Sequence, residues 1–68
     1  DLGELIPAYL AECVALGLRD VRIVHGKGTG TLRTTVHALL QRSPHVQTYR
    51  LGDAHSGSWG ATIVTLRR

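Results

Sequence analysis

Val21-Arg22-Ile23-Val24-His25-Gly26-Lys27-Gly28-Thr29-Gly30-Thr31-Leu32-Arg33 decides how this chain folds. Residues 20–25 read as a short strand rich in β-branched residues, with Val21 and Ile23 on one face and Arg22 and Val24 on the other. Glycine then occupies every second position, and an apolar helical stripe opens at Leu32. Strand, glycine loop, helix start is the order in which a backbone builds an anion site. Glycines allow the turns that aim N–H groups at one point, and the positive end of the next helix faces the same place. Lys27 and His25 add a cation and a ring that titrates near neutrality.

Outward from that stretch, Leu2, Leu5, Ile6, Tyr9, Leu10, Cys13 and Val14 recur at three- and four-residue steps, the stripe of an amphipathic helix. Pro7 lacks an N–H and is placed in the first turn, so helical geometry is expected from about residue 7, with Gly17 just past the end. Downstream, Leu32, Val36, Leu39 and Leu40 mark a second helix, with Thr29 or Thr31 as N-cap and Ser43-Pro44 as its stop. Val46–Leu51 is a second strand, residues 52–60 a polar glycine-rich loop, and Ala61–Leu66 a third strand. The third strand is the most apolar and is expected at the centre.

The expected fold is a two-layer α/β sandwich, α-β-α-β-β, in one domain spanning 1–68. The strand–helix–strand crossover makes the first two strands parallel and the last returns antiparallel, giving a mixed sheet. Parallel strands finish at one edge. That edge therefore gathers 25–30 and 52–59, so that His25, Lys27, Arg33, Asp53, His55 and Trp59 can converge, while Asp20, His45, Arg67 and Arg68 fall at the other. The first helix has no strand before it, although its stripe suits a crossover helix.

At 68 residues the chain is near the lower size limit for a single core without staples. One cysteine rules out an internal disulfide and suits a reducing cytoplasmic setting. Cys13 lies on the apolar stripe, as a buried structural thiol does. There is no methionine, so Asp1 is not an initiator residue and the chain is expected to be part of a longer one. No apolar run reaches the roughly 18–20 residues that span a bilayer, so no membrane partner is expected. Residues 1–18 carry a net charge of −3 and residues 19–68 a net +6, which suits one face turned to a polyanion.

Familiar phosphate motifs fail on their own terms. Lys27 is followed by Gly28, which breaks the P-loop pattern, and Thr31 stands where the dinucleotide fingerprint needs its last glycine. A two-metal nuclease needs clustered carboxylates, and only Asp53 falls on the site edge. His25, Asp53 and His55 could hold one metal ion, although His–Asp pairs in glycine loops more often bind water or backbone, and Ser56, His25 and Asp53 form a triad only in principle, without a nucleophile elbow. What remains is a phosphodiester held by loop N–H groups and Lys27. His25 either passes a proton there or simply bonds to the loop, and Trp59 either stacks on a base or covers the core.

Residues 21–30, led by Ala15-Leu16-Gly17-Leu18-Arg19-Asp20 and followed by Leu32-Arg33, resemble the Smr (small MutS-related) domain, in the form that ends the second bacterial MutS paralogue, associated with suppressing recombination. Tyr49-Arg50-Leu51 and Gly60-Ala61-Thr62-Ile63-Val64 also match its pattern. The resemblance implies a sandwich like the C-terminal domain of bacterial translation initiation factor three, with both helices on one face. It also implies nucleic-acid binding and nicking endonuclease activity, with branched DNA as the usual substrate and RNA or ribosomes in some relatives. The rest of a larger ATPase chain is the implied partner. His25, Gly26, Lys27, Gly28 and Gly30 carry over by motif, with His25 and Lys27 as catalytic residues. Thr29, Arg33, His55 and Trp59 join the binding set by position. No cofactor is expected within the domain. The family's Leu-Asp-Leu-Arg/His-Gly strand is absent from this chain, which leaves a non-catalytic DNA- or RNA-binding module as the alternative.

Overall fold

The computed structural model describes residues 1–53 and 60–68. Two helices and three strands follow one another as α1 (Leu2–Ala15), β1 (Asp20–Val24), α2 (Thr31–Arg42), β2 (Val46–Leu51) and β3 (Ala61–Leu66). The sheet order is β1-β3-β2, so the last strand is the central one. Its inward register explains this: Thr62, Val64 and Leu66 are all fully buried, and only a strand flanked on both sides hides that much.

β1 and β2 run in the same direction, as the crossover requires, but β3 lies between them. Both pairings are antiparallel, Val21 opposite Val64 and Tyr49 opposite Val64. The expected mixed sheet is thus corrected to an antiparallel one among the described strands. The parallel partners never touch, because the most apolar strand has taken the place between them.

All the core lies on one face. Ile6, Leu10 and Cys13 of α1 and Val36 and Leu40 of α2 pack on Val21, Ile23, Val46, Val64 and Leu66 of the sheet. Cys13 is buried and free. An irregularity between Val46 and Thr48 inserts one extra residue into β2. It brings Val46 and Tyr49, three apart in sequence, to the same core-facing side, where strict alternation would have separated them. The Cα trace is 15 Å deep along its shortest axis, the depth of one helix layer on one sheet.

α1 begins earlier than Pro7 suggests. Asp1 caps it, its Oδ1 accepting from the Glu4 N–H at 3.1 Å and its carbonyl from Leu5 at 2.9 Å. Pro7 therefore sits inside the helix, and the cap and the buried stripe from Ile6 onward offset the backbone bond that proline cannot make. At the other end Leu18 N–H reaches the Cys13 carbonyl and Gly17 N–H the Val14 carbonyl, both at 3.0 Å, with Gly17 at φ +77°. This is a Schellman closure, and it needs a left-handed residue at 17.

No atom lies within 4 Å of where a Cβ at Gly17 would stand, so substitution there tests backbone strain alone. Gly17→Ala is expected to lower the urea-unfolding free energy by about 1 kcal/mol, and Gly17→Asn by less, because asparagine tolerates the left-handed region.

Candidate nucleic-acid interface

The ends of β1 and β2 and the start of β3 meet at one end of the sheet. Gly52 N–H donates to the Ala61 carbonyl at 2.9 Å, and the N–H groups of His25 and Gly26 both donate to the Gly60 carbonyl at 2.9 Å. At the opposite end Arg67 N–H bonds the His45 carbonyl and Leu66 N–H the Arg19 carbonyl. The two-ended geography expected from the topology therefore holds for these residues.

From its anchor on Gly60 the chain turns through Gly26, Gly28 and Gly30, at φ +81°, +22° and +88°. The run His25–Arg33 walls a concavity of about 160 Å³. That is well below the roughly 300–1,000 Å³ of a small-molecule pocket and suits a group of phosphate size better than a whole nucleotide. The Gly26 amide is spent on Gly60. Among the described residues, no backbone bond takes up the amides of Lys27, Gly28, Thr29 or Gly30.

α2 starts on this wall. Its N-cap is Gly30, in the left-handed region, and no side chain caps it, which corrects the expectation of Thr29 or Thr31. Those two hydroxyls instead bond each other at 2.9 Å, and Thr31 is the first helical residue. The helix thus opens with its first amides uncapped by any side chain, where the macrodipole is positive. The Arg33 guanidinium folds back over this opening: a Cβ on Gly30 would come within 2.7 Å of its Nη2. Lys27 is exposed, and its Cγ would be 3.5 Å from a Cβ at Gly60.

His25 stands one residue beyond β1, with both ring nitrogens engaged. Nδ1 is 2.9 Å from the Gly26 carbonyl and Nε2 is 2.9 Å from the Thr62 hydroxyl. Thr62 also meets Nε2 of His37 at 2.7 Å. The three rings of His25, His37 and Tyr49 follow one another edge to face, at 6.2 Å and 4.9 Å between centroids. Burial, and then the positive charge of His25 and Arg33, hold the His37 ring below its ordinary value of 6.5.

Thr62 and His37 are bonded to the candidate site through His25, and sequence reasoning did not single them out. One signal was available: in a strand where Val64 and Leu66 face inward, alternation turns Thr62 inward as well and puts a hydroxyl in the core, and such a group needs a partner. His37, one turn beyond Arg33 on α2, was in reach of it. Asp53 follows Gly52 at the same end of the sheet but is not part of the loop wall. His55, Ser56 and Trp59 lie outside the described residues. Among the described residues no three of His, Cys, Asp and Glu are grouped so as to hold a metal ion, and no helix is long and apolar enough to cross a membrane.

Fold and site together define a small two-layer α/β domain with a cationic glycine loop between a strand end and a helix start. The Smr domain family matches residues 2–67, and the chain belongs to that family. It is 49% identical over 59 residues to a protein named Endonuclease MutS2 from Clostridium novyi (strain NT), covering 87% of this chain and 8% of that one. A protein of the same name from Thermomicrobium roseum is 50% identical over 63 residues, covering 93% and 8%. The chain thus spans a small fraction of these relatives' length. Among solved structures, the Smr domain of Thermus thermophilus MutS2 superposes with a TM-score of 0.89 at 38% identity, covering 94% of this chain and 80% of that one. YdaL, a stand-alone small MutS-related protein from Escherichia coli, gives 0.73 at 33% identity, covering 90% and 51%.

The lowered titration of His37 has a stability consequence. The unfolded chain takes up a proton at about pH 6.5 before the folded one does, so the ring's contribution is present above that pH and lost as pH falls through the folded value. Urea midpoints measured from pH 8 down to pH 5 are expected to fall below pH 6.5, and His37→Gln is expected to flatten that fall.

Proposed function

We propose that the His25–Arg33 loop holds a phosphodiester of a nucleic-acid backbone, and that the domain is the nicking endonuclease module of a longer MutS-like chain. The carrying observation is the loop wall itself: amides of Lys27 to Gly30 that no backbone bond takes up among the described residues, a helix start without a side-chain cap and the side chains of Lys27 and Arg33, all around one phosphate-sized concavity. Each of these groups donates hydrogen bonds or carries positive charge, and none reads a base edge. The name Endonuclease MutS2 borne by close relatives supports hydrolysis of the backbone. In this reading Lys27 neutralises the scissile phosphate and His25 is the polar ring beside it. Gly26, Gly28, Thr29 and Gly30 shape the cradle and Arg33 clamps a phosphate oxygen. Branched DNA in the bacterial cytoplasm is the proposed substrate, with His55 and Trp59 extending the contact.

One observation favours a second reading. Both nitrogens of His25 are already bonded within the protein, which suits a module that docks a longer ATPase chain on DNA, RNA or ribosomes and does no chemistry itself.

The two readings separate in one experiment. Plasmid and branched-DNA nicking is compared for wild type, His25→Ala and Lys27→Ala, with and without EDTA, alongside salt titrations of binding. The nuclease reading expects nicking to drop at least tenfold in both variants. Both readings expect Lys27→Ala to reduce the salt slope of binding by about 0.9 on duplex DNA. Equal nicking by all three proteins would remove the loop from the mechanism, and binding without cleavage would leave only the docking module.

A further inference from the structure

The proton positions along His37, Thr62 and His25 follow from their partners. The Gly26 carbonyl can only accept, so the Nδ1 of His25 facing it must carry a proton. In the neutral ring Nε2 is then a bare acceptor, and the Thr62 hydroxyl donates to it. Thr62 has one proton, now used, so its oxygen accepts from His37, which must hold its proton on Nε2. One direction of donation runs through the set: His37 Nε2–H to Thr62, Thr62 O–H to His25, His25 Nδ1–H to the glycine loop. The two histidines are therefore opposite tautomers. Thr62 is wholly buried, so water does not compete for its hydroxyl, whereas the Gly26 contact is exposed. The part-buried bond to Thr62 is the one that retains the ring.

We infer that Thr62 and His37 are positioning residues that hold His25 as its Nδ1–H tautomer, so that its one N–H pins the Gly26 carbonyl at the first turn of the loop and the ring turns no basic nitrogen toward a bound phosphate. The inference rests on the phosphodiester reading for its ligand, although not for its proton positions. It gives a use to a buried hydroxyl between two imidazoles, an arrangement that core packing alone does not call for. It also alters the role of His25. The only lone pair on its ring points at the core, so the residue holds the loop's backbone in shape through the Gly26 carbonyl and does not activate water. Among the described residues, Arg33 on α2 acts on His37 through its charge, Tyr49 on β2 meets its ring edge to face, and β3 supplies the Thr62 hydroxyl. Arg33 is a cation and disfavours a second proton on His37.

The test combines ring-nitrogen NMR of ¹⁵N-histidine-labelled protein with binding to a short DNA duplex from pH 8 to pH 5. At pH 8 the wild type is expected to show His25 protonated on Nδ1 and His37 on Nε2. Thr62→Ser should preserve both. Thr62→Val should release the His25 ring and mix its tautomers, weakening duplex binding about threefold to tenfold at pH 8. That deficit should close by pH 5, where a protonated imidazole donates from both nitrogens whichever way it turns. A merely structural role for Thr62 would weaken binding equally at both ends of the range. Should Thr62→Val not fold, His37→Phe is read in the same way: it removes the group that directs the Thr62 proton, and should mix the His25 tautomers while leaving the hydroxyl in place. His25 protonated on Nε2 in the wild type, or the same His25 tautomer in every folded variant, overturns the inference. Loss of DNA binding in the wild type itself would instead overturn the phosphodiester reading, since the ring-nitrogen signals report without any ligand.

Discussion

The structure depends on one constraint: the last strand must be the middle one. β3 pairs with β1 along one edge and β2 along the other, so β1 and β2, consecutive in sequence, do not pair with each other. The chain has to run through β1, α2 and β2 before the strand that joins them exists. That late insertion is also what builds the site. Where β3 begins, β1 and β2 end, and the Gly60 carbonyl that opens β3 receives the two N–H groups with which the glycine loop begins. Fold and loop are closed by the same few atoms.

Helices cover only one face of this sheet, and that asymmetry sets the electrostatics. The core side is apolar except for Thr62, whose hydroxyl is satisfied by two imidazoles. Charge is therefore confined to loops, ends and the uncovered face. At the β1 end, Lys27 and Arg33 stand beside a helix start with no acidic residue in the loop wall. Side chains, amides and the helix dipole there all present donors or positive charge toward the concavity.

Most of the fold was legible in the sequence because periodicity and punctuation agreed. Gly17, Ser43-Pro44 and the stripe of Ala61–Leu66 each mark a boundary by a physical mechanism, and the structure places them as read. The departures came where a tertiary contact outweighs a local preference. Pro7 marks a helix start only when nothing upstream caps the helix, and Asp1 does. Thr29 and Thr31 are good N-caps in isolation, but the loop needs a left-handed residue at 30, and that residue becomes the cap. The extra residue in β2 has no composition signal, since only pairing with Leu66 and Thr65 reveals it. For the site, the loop was legible because glycine spacing is local. The His37–Thr62–His25 set was not, because it joins residues 25 and 37 apart in sequence, and no single-strand or single-helix pattern records such a meeting.

A cradle made largely of amides has a consequence for heredity. Every residue but proline brings an N–H, so most substitutions at Lys27 or Thr29 change the charge or shape around the cradle and leave its donors in place. What must be preserved is backbone direction, encoded in three glycines and one shared carbonyl. Under the proposed phosphodiester reading, the surrounding surface is free to change its charge and shape while the backbone cradle itself presents a very small target to mutation.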